Sequence, residues 1–433
     1  MEDERLGLLY SKPSIHGGKE LKKFGSFLKW VCVDQSSLWR AGLSWSVFVV
    51  FAIGVPVASH FLLACPTCDA DHSRPYHVPA QISLSLYATV SFFCLSRWAR
   101  KYGLRKFLFI EKLCETSEKV RQRYEDFVQE SLKFLVAIIL LYSAAEFAYK
   151  IWWYVSGAKE IPYFGNLILS ETLFCMLELF SWLYRITLIF LVCVLFRLIC
   201  YLQILRLEDF ARVFQKETEV GLILIEHLSI RRNLRTISHR YRLFILFSLL
   251  LVTLSQLIAL LMVTKSSSHV NIYKAGELAI CSTSIVTGLY ICLRSATKVS
   301  HKAQSLTGLA AKWHVCATVN SFDSLDEETP TAAMTMTQLS SGQVFPIGSS
   351  VYESDDESGS GDDDDGLNDT KLVPIFTHTI SFHKRQSLVT YLENNKAGIT
   401  VFGFMLDRTW LHSIFGIQLA LLLWLLNKTI GIS

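Results

Sequence analysis

Long apolar segments alternate with shorter polar segments along most of this sequence. A helix that crosses the hydrocarbon core of a bilayer, about 30 Å thick, needs roughly 20 mainly apolar residues. A helix also satisfies its own backbone hydrogen bonds, which lipid cannot do. Seven candidate spans follow, at residues 41–63, 78–95, 132–154, 175–199, 241–263, 275–293 and 410–426. The pattern therefore predicts an all-α membrane protein with seven transmembrane helices.

The fourth apolar segment is long enough for two spans. Residues 164–203 are mainly apolar, and no glycine or proline between Asn166 and Gln203 favours a turn. At about 1.5 Å per residue the segment makes a helix of about 60 Å, twice the thickness of the hydrocarbon core. We therefore expect one long helix that projects beyond the membrane and continues past Leu205.

Lysine and arginine residues are distributed unequally between the connecting segments. Seven precede the first span, one follows it, nine lie between the second and third spans, and seven lie between the fourth and fifth. The remaining connections on the sparse side carry two each, when Lys150 near the end of the third span is counted with the connection that follows it. Because positively charged loops stay in the cytoplasm, this alternation predicts a cytoplasmic N-terminus and an extracytoplasmic C-terminus.

Composition agrees with a membrane protein and argues against other classes. Apolar residues make up 51% of the chain and charged residues 18%, while the net charge of +4 is not informative as a total. The sequence shows no phosphate-binding glycine loop, no helical histidine pair beside a carboxylate and no nucleophile motif. Basic clusters lie next to spans, where they act as topology signals. We therefore expect no enzyme activity, no cofactor and no nucleic-acid partner.

Composition also divides the chain into regions. We expect a cytoplasmic N-terminal segment at 1–40, which lacks the apolar stretch of a removable signal peptide. Residues 41–318 contain six spans with cytoplasmic helical extensions, and residues 373–433 contain a cytoplasmic helix and the seventh span. One extension carries apolar residues at helical spacing, which predicts a buried face. These residues are Val299, Ala303, Leu306, Ala310 and Trp313.

Residues 319–372 differ from the rest of the chain. Serine, threonine and glycine dominate, and an acidic run occupies residues 353–365. Such a segment cannot bury enough apolar surface to offset its ordering entropy, so we predict a disordered cytoplasmic loop. A regulatory role is an alternative, because Ser324 and Ser354 each precede an acidic residue by three positions and added phosphate would deepen the negative charge.

Most of the eleven cysteines lie within apolar segments and are expected to pack as small hydrophobic residues. Cys65 and Cys68 are different, because they form a C-x-x-C pair in the loop after the first span. This spacing suggests a loop disulfide. A metal site with nearby histidines is the alternative, although no second cysteine pair accompanies it, and we expect no metal.

Charged and aromatic residues inside the third and fourth spans suggest a polar site. Charges are costly in a membrane, so they usually pair with one another or serve a function. Glu146 and Lys150 are four residues apart and can pair on one face, while Glu178 and Arg185 share a stripe. Structural ion pairs are one interpretation. A ligand pocket is the other, formed by Glu146, Trp152, Trp153, Tyr154, Glu178, Trp182 and Arg185.

The C-terminal region combines a polar helix, an extended apolar link at 398–406 and the last span. Its motif residues are Ala397-Gly398, Phe402-Gly403-Phe404, Leu406-Asp407 and Trp410-Leu411. In this order they resemble the C-terminal signature of insect gustatory receptors. The chain resembles plant gustatory-receptor-like proteins, which are related to that chemoreceptor superfamily, more closely. The superfamily's later Thr-Tyr and Gln-Phe positions fall on 420–421 and 427–428, which carry other residues.

This resemblance implies a homotetramer that works as a ligand-gated cation channel for an unknown small molecule. It places the last span around a central pathway, with Gln418, Leu421, Leu422 and Leu425 lining the pore. The protein would reside in the plasma membrane or an endomembrane. A non-conducting scaffold or signalling protein on the same fold is the first alternative, and a transporter is the second, which the absence of an internal repeat disfavours.

Overall fold

A computed structural model of the 433-residue chain describes residues 38–62, 76–107, 118–157, 167–216, 220–265, 272–326 and 382–430. Within these ranges the chain is helical apart from one β-hairpin and short connecting turns. Cys65 and Cys68, and hence the predicted disulfide, lie outside the described residues. So do residues 1–37 of the predicted N-terminal segment and residues 327–372 of the predicted acidic loop.

The described elements follow one another along the chain with few breaks. Their bounds are α1 (Leu38–Val49), a π-helical turn (Val50–Gly54), α2 (Val55–Leu62), α3 (His77–Phe107), α4 (Glu118–Gly157), α5 (Leu167–Lys216), α6 (Val220–Lys265), α7 (Ile272–Asp326), α8 (Phe382–Asn394), β1 (Thr400–Val401), β2 (Phe404–Met405) and α9 (Arg408–Ile430). Helix α7 thus extends past the boundary predicted at residue 319.

Seven helical stretches among the described residues are long and apolar enough to cross a membrane. Each overlaps one predicted span, so the prediction of seven membrane-spanning helices is confirmed. The first stretch comprises α1, the π-helical turn and α2. There the Val55 amide donates to the Val50 carbonyl, five residues earlier. Pro56, which lacks an amide hydrogen, follows directly and explains why the regular α-helical pattern is interrupted at this point.

Helix α5 is a single helix, as the sequence predicted, and it is the most buried of the seven spans. Within its apolar window, 83% of the residues are buried inside the chain, compared with 17% in α9. Almost every side chain between Ile186 and Leu205 is inaccessible. A helix that is apolar on all sides is expected to be surrounded by other helices, and α5 is.

Aromatic contacts join α5 to its neighbours. The ring of Tyr241 on α6 lies 4.6 Å from the ring of Phe196 on α5 and 4.4 Å from that of Trp98 on α3. All three side chains are buried. In the first span, Phe48 stacks on Phe92 of α3 at 4.2 Å. These contacts fix the helix positions that hold the polar site described below.

The chain forms two compact units. Of the described residues, the first contains those up to Phe210, those of 225–304 and those of 396–430, and the second contains those of 211–224 and 305–395. The apolar face predicted on α7 is confirmed, because all five of its residues are buried. The polar site lies entirely in the first unit.

The link before α9 is a short β-hairpin, in which two strands of two residues each are joined by a two-residue turn. Thr400 pairs with Met405 and Val401 with Phe404. Phe402 and Gly403 form the turn with φ angles of 50° and 92°, as the favoured hairpin turns require. The hairpin is hydrogen-bonded to two helices. The Ile399 amide donates to the Ser300 hydroxyl on α7 at 3.1 Å, and the Thr400 amide donates to the Ser238 hydroxyl on α6 at 3.0 Å.

The N-terminus of α9 is capped by the residue that precedes it. The Asp407 carboxylate accepts the Trp410 amide at 3.2 Å, which satisfies one of the amides left free at a helix start. Packing against the rest of the chain is limited to one side of α9, where Phe415 meets Tyr290 of α7 at a ring distance of 4.6 Å. The hairpin and cap therefore set where the last span begins.

Candidate functional site

Polar side chains from five helices meet at one end of the membrane-spanning helices. Because successive spans run in opposite directions, the C-terminal ends of α2 and α4 lie beside the N-terminal ends of α3, α5 and α7. We call this set the ionic cluster. It consists of Ser59, His77, Gln81, Glu146, Lys150, Tyr154, Glu178, Arg185 and Glu277.

Lys150 lies at the centre of the ionic cluster. Its ammonium is 3.0 Å from the carboxylate of Glu178, 3.6 Å from that of Glu277 and 3.8 Å from that of Glu146. All four side chains are buried. The pairing of Glu146 with Lys150, predicted from their spacing, is confirmed, and one ammonium joins three helices.

Glu277 receives two further contacts, both from α3. The Nδ1 atom of His77 lies 2.9 Å from one carboxylate oxygen, and the side-chain amide of Gln81 donates to the other at 2.5 Å. His77 is the first residue of α3, and Gln81 lies one turn later. Residues four apart share a helix face, so both reach the same carboxylate.

Glu178 is contacted by hydroxyl groups as well as by Lys150. The Ser59 hydroxyl donates a short hydrogen bond to one oxygen, and the Tyr154 hydroxyl lies 3.4 Å from the other. Ser59 is also 3.4 Å from Nε2 of His77. The first span is thereby joined to α3 and α5 through groups that lipid could not satisfy.

Arg185 occupies a different part of the ionic cluster. Its guanidinium donates to the Ser181 carbonyl at 3.3 Å, the Gln81 carbonyl at 3.4 Å and the Ser85 hydroxyl at 3.1 Å. These acceptors are neutral, and the side chain is 1% exposed. Arg185 therefore binds α3 to α5 without forming an ion pair among the described residues.

Glu146 is the least satisfied member of the ionic cluster. It is completely buried, and within the described part of the chain neither carboxylate oxygen has a hydrogen-bond partner. Its nearest cation is the Lys150 ammonium at 3.8 Å. Burying an ionised carboxylate without hydrogen bonds costs free energy, so a new partner or a proton at Glu146 would stabilise this site.

The structure brings together part of the ligand pocket predicted from the sequence. Glu146, Tyr154 and Glu178 meet around Lys150, and Arg185 lies on the same helix as Glu178. Trp153 packs edge-on against Tyr154, with the ring centroids 5.0 Å apart. Trp182 is buried on α5, whereas Trp152 is 37% exposed and contacts Tyr149 instead. The ligand-binding role of this set stays a prediction.

Five members of the ionic cluster were not predicted from the sequence as pocket residues. They are Ser59, His77, Gln81, Lys150 and Glu277, of which Lys150 was predicted only to pair with Glu146. His77 immediately precedes the predicted second span, and Glu277 lies near the start of the sixth. Gln81 lies on the first turns of α3. An ionisable or amide side chain at the edge of a span is a weak signal by itself, because such positions are often hydrated.

The predicted pore residues lie on the packed side of α9. Gln418 is 1% exposed, Leu422 and Leu425 are also buried, and Leu421 is partly exposed. The opposite side of α9 is uncovered and includes Ile417 at 60% exposure. Because a shared pore is a property of several chains, the pore-lining assignment stays a prediction.

Comparison with known families assigns the chain to a family but gives no function. A family model described as a protein of unknown function, DUF3537, matches residues 19–417. The chain belongs to the DUF3537 family. The matched region of this DUF3537 protein includes every residue of the ionic cluster and the hairpin. No curated protein matches the chain.

Proposed function

We propose that the protein is a subunit of a ligand-gated cation channel, a homotetramer in which α9 borders a central pathway. The observation that carries this proposal is the unequal coverage of the spans. Only 17% of the apolar window of α9 is buried within its own chain, the smallest share among the seven spans. A span left uncovered by its own chain is available to contact other chains or a pathway between them.

The uncovered side of α9 also carries polar groups. His412 and Ser413 are exposed there, within the stretch that is long and apolar enough to span a membrane. Polar side chains in membrane helices usually face protein or water instead of lipid, because lipid offers them no hydrogen bonds. Their position favours contact with a neighbouring subunit or with water.

In the proposed assembly, the uncovered side of α9 faces the pathway. Ser413, Ile417, Ala420 and Trp424 recur there at four- and three-residue spacing, and all are exposed. Four copies of such an apolar stripe close a pathway by excluding water, and a widening of the ring admits ions. Gln418, Leu422 and Leu425 then lie behind this surface as packing residues unless the helix rotates.

In the proposed channel, the ionic cluster couples ligand binding to the packing of the helices. Its polar contacts join α2, α3, α4, α5 and α7, so a change in its charge or hydrogen bonding alters the packing of five helices together. A ligand shifts a conformational equilibrium only through different interactions with the two states. The exchangeable polar contacts of the ionic cluster provide such a difference.

Single-channel recording in planar bilayers tests this function. Purified full-length protein is expected to give spontaneous cation openings that protein-free bilayers lack. In the Ala420→Cys variant, a charged thiol reagent should reduce the current by more than about half, because a charge in a narrow apolar pathway blocks ions. The same reagent on Leu425→Cys, on the packed side of α9, should leave the current unchanged.

Unsubstituted protein treated with the reagent is the control for native cysteines, of which Cys316 is exposed. Block at Leu425→Cys but not at Ala420→Cys would restore the pore face predicted from the sequence. Intact tetramers without any cation current would contradict the channel proposal.

A non-conducting scaffold is the second candidate function. It is favoured by the burial of Gln418, Leu422 and Leu425, which leaves an uncovered side that is mainly apolar in its middle turns. Such a surface suits stable contact between helices. The bilayer recordings separate the two functions, because a scaffold assembles but does not conduct.

A further inference from the structure

The ionic cluster contains more carboxyl groups than lysine and arginine side chains. Glu146, Glu178 and Glu277 supply three carboxylates, whereas Lys150 and Arg185 supply two cations, and all five side chains are at most 6% exposed. His77 is the remaining basic member of this described set, so one negative charge within the set is unbalanced when His77 is neutral. Inside a membrane protein an unbalanced buried charge is costly, which favours uptake of one positive charge.

The positions of the two cations make the imbalance local. The Lys150 ammonium lies within 4 Å of all three carboxylates. Arg185 donates to neutral oxygen atoms and forms no ion pair with them. The group nearest to Lys150 is Glu178, at 3.0 Å, and the most distant is Glu146, at 3.8 Å. The carboxylate that Lys150 neutralises least is thus also the one without hydrogen bonds.

We propose that the ionic cluster is a proton-binding site that holds one dissociable proton, shared between the Glu146 carboxyl group and the His77 imidazole. The inference rests on the proposed role of the ionic cluster as the ligand-responsive element and names its ligand. A proton on Glu146 turns a buried carboxylate that accepts no hydrogen bond from the described residues into a neutral acid. A proton on His77 creates an imidazolium 2.9 Å from Glu277. Either location balances the charges.

The groups that face this proton come from every helix packed around the ionic cluster. They are Ser59 on α2, His77 and Gln81 on α3, Glu146, Lys150 and Tyr154 on α4, Glu178 and Arg185 on α5, and Glu277 and Cys281 on α7. Ser59, Gln81, Tyr154 and Cys281 carry no permanent charge.

A proton fits this site better than a metal ion does. Among the residues that the structure describes, no three histidine, cysteine or acidic side chains are grouped closely enough to hold a metal. Glu146 is completely enclosed, and a proton needs no additional volume. The proton comes from water and returns to it, so binding requires no other reactant. Its release leaves a net negative charge that weakens the contacts between helices.

Infrared difference spectroscopy of the full-length protein in lipid nanodiscs tests the site. Spectra recorded between about pH 5 and pH 8 follow the C=O stretch of a protonated carboxyl group and the ring modes of imidazolium. We expect uptake of about one proton per chain, because one proton balances the charges of the ionic cluster. Glu277→Gln removes one negative charge but neither proton acceptor, and it should abolish this uptake.

Glu208→Gln is the matched control. Glu208 is a half-buried carboxylate that already has two cationic partners, Arg123 at 3.1 Å and Lys302 at 3.7 Å. Its substitution should leave the titration of the ionic cluster unchanged. Glu146→Gln provides a second variant with the same expected loss, should Glu277→Gln fail to fold.

Equal proton uptake by the unsubstituted protein and by a folded Glu277→Gln or Glu146→Gln variant would overturn the proposal. The proposal would also be overturned if the unsubstituted protein took up no proton, or if sodium displaced the bound proton at constant pH. The measurement does not depend on conduction. Proton uptake without current would contradict the channel proposal but support the proton-binding site. Current without proton uptake would contradict only the proton-binding site.

Discussion

At the scale of single residues, Lys150 determines whether the ionic cluster can exist in a membrane. Its ammonium is the shared partner of carboxylates on α4, α5 and α7. Paired buried charges often contribute little net stability, because desolvation opposes their attraction. Removal of one partner is different, since it leaves the remaining charges buried without compensation. The cluster is therefore sensitive to the loss of Lys150.

Lys150→Met, which keeps the length of the side chain, is expected to destabilise the protein by about 3–5 kcal/mol. The measurement is unfolding of the purified protein in detergent, followed by tryptophan fluorescence. Lys302→Met is the control, because its partner Glu208 also contacts Arg123, and such partly exposed pairs contribute about 1 kcal/mol or less. Equal losses in the two variants would contradict a central role for Lys150.

The sequence revealed only part of the ionic cluster, for a physical reason. Glu146, Lys150 and Glu178 stand out because charge is expensive inside an apolar segment. Glu277 and His77 lie 200 positions apart in the sequence, and their contact depends on how α3 and α7 pack. Helical periodicity describes one helix at a time, so contacts between distant helices cannot be derived from it.

At the scale of secondary-structure elements, the hairpin before α9 combines a tight turn with exposed aromatic side chains. Phe402 has a φ angle of 50°, an uncommon value for a residue with a side chain, and its ring is 53% exposed. The Arg242 guanidinium lies 5.3 Å from its centre. The sequence predicted an extended link here. The turn was not predicted, because phenylalanine is not a usual residue at this position.

Substitutions in the turn should act in opposite directions. Gly403→Ala is expected to cost about 1 kcal/mol, because alanine does not tolerate a φ angle of 92°, although no atom lies within 4 Å of the added methyl group. Phe402→Asn should stabilise the protein by up to about 0.5 kcal/mol. Asparagine tolerates this backbone conformation, which contributes up to about 1 kcal/mol. Loss of the contact between the Phe402 ring and Arg242 costs about 0.5 kcal/mol.

Thermal unfolding in detergent measures both effects. Gly308→Ala is the control, because this helical glycine also has open space around it and should gain about 0.5–1 kcal/mol. Stabilisation by Gly403→Ala would contradict the positive φ angle and the turn assignment.

At the scale of the whole molecule, the bilayer explains why the architecture was predictable. Each span must be long, apolar and helical, so hydropathy located all seven, and the absence of glycine and proline in the fourth segment identified α5 as one helix. Orientation and assembly are different. Their prediction rests on loop charge and on the resemblance to chemoreceptors, while the structure contributes the uncovered side of α9 and a polar site that joins five helices.

An electron-microscopy reconstruction of the purified full-length protein tests the proposed assembly most directly. We expect a fourfold particle in which four copies of α9 surround the axis and direct Ile417 and Ala420 toward it. A monomer or dimer, or a tetramer with α9 on its lipid-facing perimeter, would contradict the proposed channel.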